Sequence, residues 1–322
     1  MSDGEVWPER DLETVDRCPA CGASGRRTVH RELEDRVVGT APGRWCLHRC
    51  QECESMYLDP RPTPGSIGRA YRSYYTHAPR SPSLPVPGEA RAGPIRRIST
   101  RVRSLSRRPG QRLPVGAPRG ARVLDVGCGS GEFLITAARL GWTGVGVDFD
   151  PHAVAAARAR GLTVHLGDLN DLPQDECAFD YISLNHVLEH VHRPAALVRQ
   201  CADLLAPDGI LWIETPNAGA LGHRRYGRFW RGLEPPRHLC IASLTALEGM
   251  LDDAGLRVRE HRNRRFVSIN TYAKSESVRS GRPFRPPGFR DVFRPRAVLD
   301  GIRQGRSVDE REFLSVHACR RR

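Results

Sequence analysis

The chain reads as an α/β protein: a mostly parallel sheet with crossover helices, and a small cysteine-paired module at its N-terminal end. Three observations predict this. Between residues 121 and 256, short apolar runs alternate with helical patterns, as strands joined by helices do. Acidic residues stand at three successive strand ends in that stretch, and a glycine-rich turn follows the first strand. Two C-x2-C pairs precede residue 54.

The 322 residues divide into 1–70, a zinc-ribbon-like module; 71–120, a basic Pro/Arg-rich linker; and 121–322, an α/β domain with a basic insert at about 276–307. The formal charge of +13 is unevenly spread. Residues 1–76 carry a net −1, 77–120 a net +9, 121–256 a net −6 and 257–322 a net +11. A single lysine, Lys274, stands against 49 arginines, a skew that GC-rich coding explains as well as selection for arginine chemistry does. No apolar run reaches the roughly 18 residues of a membrane span. The opening MSDGEVWPERDLETVD lacks the basic and apolar regions of a secretory signal. A cytoplasmic location is therefore expected, with cysteines acting as metal ligands or buried thiols before disulfides.

In chain order, Cys18 and Cys21, then Cys50 and Cys53, form C-x2-C pairs separated by 28 residues. Four thiolates in two such turns suit a structural, tetrahedral zinc with no open position for catalysis. A β-hairpin is expected to fill the spacer; Cys46 and His48 lie close enough to replace a ligand. Four thiols without metal, or a redox pair, are the alternatives. Cys128, Cys177, Cys201, Cys240 and Cys319 are scattered and read mostly as small buried residues.

In the linker, Ile95, Ile98, Val102 and Leu105 recur at helical spacing, with arginines largely elsewhere on the helix. Next, Ala121–Val126 is a buried strand and Glu132–Leu140 a helix closed by Gly141. Thr143–Asp148 is a strand; Pro151–Arg160 is a helix opened by proline and stopped by Gly161. Strands follow at Leu162–Gly167 and Phe179–Leu184, then a helix at Pro194–Leu205 and a strand at Gly209–Glu214. Ser243 caps a helix through Ala254. Strands near Arg257–Tyr272 and Phe313–Cys319 are expected to close the sheet.

The segment VLDVGCGSGEF carries the most chemistry. Gly127, Gly129 and Gly131 follow a strand and open a helix, where glycine allows a sharp turn and close ligand approach. Asp148 ends the next strand, 21 residues after Gly127, the place of a ribose-binding acid; Asp168 ends the third. With GVGVDFDP, GDLNDLP, FDYISLNHVLEHV and ILWIETPN following in order, residues 121–256 resemble the class I S-adenosylmethionine (SAM)-dependent methyltransferases. That resemblance implies a Rossmann-like, seven-stranded sheet. It places Asp125 and the three glycines at the methionine end of SAM, Asp148 on the ribose diol, Asp168 at the adenine and Asn185 beneath the cofactor. Glu132 stands where an NAD-binding fingerprint has its third glycine, which argues against NAD.

The N-terminal module before such a core resembles a subgroup acting on small molecules and sugars. Tyr74 and Tyr75 are candidates to cover the cofactor, or to pack an interdomain seam. Three histidines come into question as bases, His being suited to proton removal at neutral pH: His186 and His190, in NHVLEH just beyond the fourth strand, and His238, in EPPRH; His190 and His238 are the candidates. The related sugar C-methyltransferases have a Glu-His pair where this chain has Arg237-His238. Each histidine also admits a structural role. The loop Asn217–Cys240, with Tyr226, Phe229 and Trp230, reads as a substrate wall.

The expected activity is methyl transfer from SAM to a small-molecule or saccharide acceptor, lipid- or nucleotide-linked, at oxygen before other atoms. RNA methylation through the basic segments is the second reading, disfavoured because the zinc region is net −1 and no Asn/Asp-Pro-Pro-aromatic signature follows the fourth strand. A non-catalytic zinc-ribbon adaptor is the third. The amphipathic linker helix, with Phe284, Phe289 and Phe293 among arginines of the insert, suggests weak peripheral association with an anionic membrane or polyanion; a plain lid over the pocket is the other reading.

Overall fold

The computed structural model describes residues 6–71, 120–173, 175–262, 267–284, 286–287 and 295–321. Tyr74, Tyr75, the amphipathic pattern Ile95–Leu105, Phe289 and Phe293 lie outside the described residues. Among the described residues, no helix is long and apolar enough to cross a membrane.

The N-terminal part is built from strands β1 (Leu12–Glu13), β2 (Arg26–Leu33), β3 (Trp45–Cys50), β4 (Met56–Leu58) and β5 (Arg61–Pro62). β2 and β3 pair antiparallel across the cysteine spacer, the hairpin that the spacing predicts. At the first turn Gly22 N donates to Cys18 O at 2.8 Å, and at the second Cys50 N donates to Ser55 O at 2.9 Å. β1 pairs with β5.

The larger sheet holds β6 (Arg122–Val126), β7 (Thr143–Asp148), β8 (Thr163–Leu166), β9 (Phe179–Asn185), β10 (Leu205–Pro216), β12 (Leu256–His261) and β13 (Phe313–Arg320). Its order is β12-β13-β10-β9-β6-β7-β8. β13 runs antiparallel to both neighbours, and the remaining pairs are parallel. Central strands are covered on both faces, so they are buried almost throughout: Ile182 and Leu184 of β9 are wholly buried, each worth about 1.5–3 kcal/mol.

The crossover helices are α1 (Glu132–Arg139), α2 (Pro151–Arg158), α3 (Pro194–Leu204) and α5 (Leu244–Asp253); a short α4 (Leu221–Tyr226) lies in the long loop after β10. Local chemistry sets their starts. Asp150 caps α2 by accepting from His152 N at 2.9 Å, with Pro151 in the first turn. Ser243 caps α5 by accepting from Ala246 N at 3.0 Å. Inward, α1 buries Phe133, Leu134 and Ala137, and α3 buries Leu197, Val198 and Cys201.

Two expectations are corrected here. The strand beginning near Arg257 stops at His261, and Val267–Ser280 is a helix, α6. Its buried face is Ser268, Thr271, Tyr272 and Ser275, at helical spacing but mostly small and polar, so an apolar pattern does not reveal it. Ser275 Oγ bonds to Thr271 O within the helix at 2.8 Å and accepts from Arg231 N at 3.0 Å. Helix α7 (Pro295–Arg306) completes the insert before β13. The loop after β10 is also only partly a wall: Trp230 is buried and donates Nε1 to Glu312 Oε2 at 2.9 Å.

That loop returns through β11 (Cys240–Ile241), which pairs antiparallel with β4. The second sheet therefore has the order β11-β4-β3-β2 and takes its edge strand from 182 positions beyond β4. Of the scattered cysteines, Cys128, Cys201 and Cys240 are buried as expected; Cys177 is exposed and Cys319 is half-buried.

Candidate active site

The C-terminal ends of β6, β7 and β9 converge, as ligand sites of open α/β sheets do. Asp125 lies buried in β6. Beyond that strand the turn demands glycine. Gly127 has φ +67° and a Cβ there would meet Val187 Cγ2 at 2.7 Å; Gly131 has φ +81° and its Cβ would meet Leu162 Cδ1 at 2.1 Å. Around Gly129 the space is open, so a ligand can approach its backbone.

Asp148, at the end of β7, is held by backbone amides: Oδ2 accepts from Gly129 N at 2.8 Å and Oδ1 from Asp150 N at 2.9 Å. A carboxylate only accepts, which suits it to the two hydroxyl donors of a diol. Asn185, ending β9, has a buried Oδ1 without a hydrogen-bond partner, an acceptor that fits a donor-bearing cofactor. Asp168 is exposed, and its Oδ1 accepts from Asn170 N at 2.7 Å, capping the turn Leu169–Asp171. The glycine turn, a buried acid at a strand end and an orphaned amide oxygen together fit SAM.

Beyond β9 lie the histidines. Nδ1 of His190 is 2.7 Å from Tyr71 Oη and 3.1 Å from Arg237 O. A carbonyl only accepts, so the Arg237 contact calls for a proton on Nδ1 of neutral His190, while Nε2 lies 4.0 Å from Glu189 Oε1. Nδ1 of His238 likewise faces Gly232 O at 2.7 Å. The two rings stand 4.7 Å apart, nearly perpendicular. Burial lowers the pKa of both; for His238, His190 adds to the effect and brings it to about 4. Both are neutral at pH 7, and His190 is the half-buried one of the two. Tyr71 connects this pair to the cofactor side, packing edge-on against Phe149 at 5.2 Å.

Beneath them, Glu189 is wholly buried. Its Oε1 lies 3.1 Å from His186 Nδ1, and its Oε2 accepts from Thr215 Oγ1 at 3.0 Å. His186 also faces Glu214 at 3.5 Å and sits at φ +55°, a strained conformation for a residue other than glycine. Glu189, His190 and His238 bring ligand-type atoms within 4.8 Å of one another, but both Glu189 oxygens are already engaged by the protein, so the trio needs no cation.

Burial pushes His186 down, but Glu189 and Glu214 outweigh it and hold it up at about 9. Burial pushes Glu189 up, and His186 outweighs it to hold the carboxylate at about 2. The raised His186 contributes stability that is full below its unfolded value of ~6.5 and lost as pH rises through about 9. The lowered Glu189 contributes stability above ~4.5 that is lost as pH falls through about 2. The urea midpoint should therefore fall between pH 6.5 and 9, and His186→Gln should remove that fall. An equal slope in wild type and variant would refute the assignment.

In the N-terminal part, Cys18 and Cys53 Sγ are 3.6 Å apart, as are Cys21 and Cys50, and all four lie within 4.8 Å of one another. Tetrahedral zinc with ~2.3 Å bonds spaces sulfurs by about 3.8 Å, so the four fit that metal. Cys46 is outside this cluster.

The sequence reading did not single out Tyr71, Glu189 or Glu234 for the site. A signal was present: Glu234 precedes His238 by four positions, and its Oε2 lies 3.6 Å from His238 Nε2.

A family described as methyltransferase domain matches residues 97–261. Among curated proteins, the ubiquinone biosynthesis O-methyltransferase of Xanthomonas axonopodis pv. citri (strain 306) is 39% identical over 107 residues, covering 31% of this chain and 45% of that protein. Its counterpart in Xanthomonas oryzae pv. oryzae (strain PXO99A) is 40% identical over 105 residues, 30% of this chain and 44% of that protein. The chain thus matches somewhat under half the length of these relatives. Among solved structures, an S-adenosylmethionine-dependent methyltransferase from Mesorhizobium loti is 20% identical with a TM-score of 0.45, covering 67% of this chain and 100% of that one. A TehB-like SAM-dependent methyltransferase from Corynebacterium glutamicum is 18% identical with a TM-score of 0.41, covering 70% and 98%.

Proposed function

The chain belongs to the methyltransferase-domain family, and on that premise we propose that it transfers the methyl group of SAM to an oxygen of a small-molecule or saccharide acceptor. The observation that carries this reading is the pairing of a SAM-compatible strand-end cradle with a neutral, oriented histidine pair nearby. When bound, SAM supplies an electrophilic methyl group on a sulfonium. Asp148 holds the ribose diol, the Gly127–Gly131 turn admits the methionine end, and Asn185 Oδ1 accepts a hydrogen bond from the cofactor. Nε2 of His190 takes the proton of the acceptor hydroxyl, making its oxygen a nucleophile. Tyr71 and Arg237 O keep the ring aimed, and His238 backs it. An oxygen acceptor also accords with the named activity of the Xanthomonas relatives. One structural zinc sits on Cys18, Cys21, Cys50 and Cys53.

Incubation with methyl-labelled SAM and a panel of phenolic, quinol and nucleotide-sugar acceptors, read by mass spectrometry, tests the transfer. Label on carbon or nitrogen, or none on any acceptor, defeats the oxygen reading. Asp148→Ala should weaken SAM binding by about 1.5–3 kcal/mol, the size of charge-assisted hydrogen bonds. Calorimetry giving the same affinity for both proteins would remove Asp148 from the site.

A further inference from the structure

Asp35 belongs to the turn between β2 and β3, well before either histidine in the sequence. Its carboxylate is buried and organises that turn: Oδ1 accepts from Val38 N at 3.1 Å, and Oδ2 from Thr40 N at 3.0 Å and Ala41 N at 3.1 Å. It also pairs with Nη2 of Arg237. Arg237 has no exposed surface. Its Nε donates to Glu234 Oε1 at 3.1 Å and its Nη1 to Ala70 O at 3.0 Å.

Each of these bonds leads to the histidine pair. Ala70 precedes Tyr71, whose hydroxyl meets His190 Nδ1. The carbonyl of Arg237 accepts from that same nitrogen. His238 is joined to Arg237 by a peptide bond, and Glu234 faces His238 Nε2. Two carboxylates, Asp35 and Glu234, share the charge of one buried guanidinium; Arg231 also binds Glu234. A buried guanidinium must keep its acceptors. Without the Asp35 charge, Arg237 draws harder on Glu234, and its backbone and the Tyr71 segment shift together.

We propose that Asp35 is a positioning residue for the His190–His238–Tyr71 constellation, acting through Arg237, so that the cysteine-bearing module sets the geometry of proton removal. The proposal rests on the reading of His190 as the base. It makes the module a working part of the site, with the guanidinium as the link.

The test uses the full-length chain with S-adenosylhomocysteine as the binding probe and compares wild type, Asp35→Asn and Asp35→Glu. Gly39→Ala is the control. Gly39 sits in the same turn at φ +73°, so a Cβ strains the loop while removing no charge. The first readout is the Nδ1–H of His190 in proton–nitrogen spectra, expected as a slowly exchanging signal in the wild type and assigned with His190→Gln. Asp35→Asn should broaden or lose that signal while S-adenosylhomocysteine affinity stays within about twofold, and Asp35→Glu should restore it in part. With any acceptor the wild type methylates, Asp35→Asn should lower kcat by about 10- to 100-fold at unchanged KM for SAM, the size of a misaligned catalytic group. Gly39→Ala should keep the His190 signal.

An unchanged His190 signal in a folded Asp35→Asn protein overturns the proposal. So does equal disturbance by Gly39→Ala, which would assign the effect to the loop alone. If Asp35→Asn does not fold, Asp35→Glu decides, because a displaced carboxylate should still perturb the signal. Absence of methyl transfer in the wild type would sink the functional reading, yet the His190 signal is read without an acceptor.

Discussion

Replacing Cys18 with Ser is expected to abolish stoichiometric zinc and, with it, methyl transfer, while SAM still binds. A structural zinc contributes about 10–16 kcal/mol of apparent binding free energy, comparable with the whole ~5–15 kcal/mol stability of a domain. Losing a thiolate from the site therefore outweighs any single hydrogen bond or core side chain. The damage should reach the histidines, because β11 pairs with β4 and Leu58 N donates to Leu239 O at 3.1 Å, next to His238. The SAM-side turn is built from β6, β7 and β9, which pair only within the other sheet. Transfer should fall by about 100-fold or more, as for ångström-scale misplacement of a catalytic group, with SAM affinity changed far less. Elemental analysis of protein purified under reducing, chelator-free conditions gives the zinc content, and calorimetry the SAM affinity. Protein that contains no zinc in the wild type, or a Cys18→Ser variant with full activity, would contradict the expectation.

His190→Gln should cost about 10²- to 10⁴-fold in kcat, or ~3–5 kcal/mol, the range for losing a general base. Glutamine keeps a donor for Arg237 O but offers no nitrogen lone pair to a hydroxyl proton. His238→Gln should cost less, because that ring is buried whereas His190 is partly exposed and so the more open to an acceptor. SAM affinity should be the same in all three proteins. Single-turnover rates of methyl transfer, set beside calorimetric affinities, separate the two histidines. A larger loss for His238→Gln would reverse their assigned roles.

The cradle was readable because its requirements are local. A strand feeding a positive-φ turn needs glycine at positions 127 and 131, and a period of about one strand and one helix delivers Asp148 to the neighbouring strand end. The cysteine cluster was readable for the same reason, since each C-x2-C pair is a single turn and only two turns had to meet. Helix α6 was not readable, because three of the four residues on its buried face, Ser268, Thr271 and Ser275, are small and polar, and the hydroxyl bonds of Ser275 to Thr271 O and Arg231 N form only in the fold. Trp230 looked like a substrate contact until Glu312 proved to be its partner.

By itself, the sequence determined the α/β class, the turn that fits SAM and the four-cysteine cluster, because each is announced by local patterns: alternating apolar runs, a glycine turn and two C-x2-C turns. Only the tertiary structure decided which groups surround the histidines. Tyr71, Asp35, Glu189 and Arg237 come from four separate stretches of chain and carry no shared spacing. What brings Asp35, Tyr71 and Arg237 together is the addition of β11 to the N-terminal sheet and the need of one buried guanidinium for carboxylates and carbonyls, wherever in the chain those acceptors lie; Glu189 joins through its carbonyl, which accepts from Leu239 N.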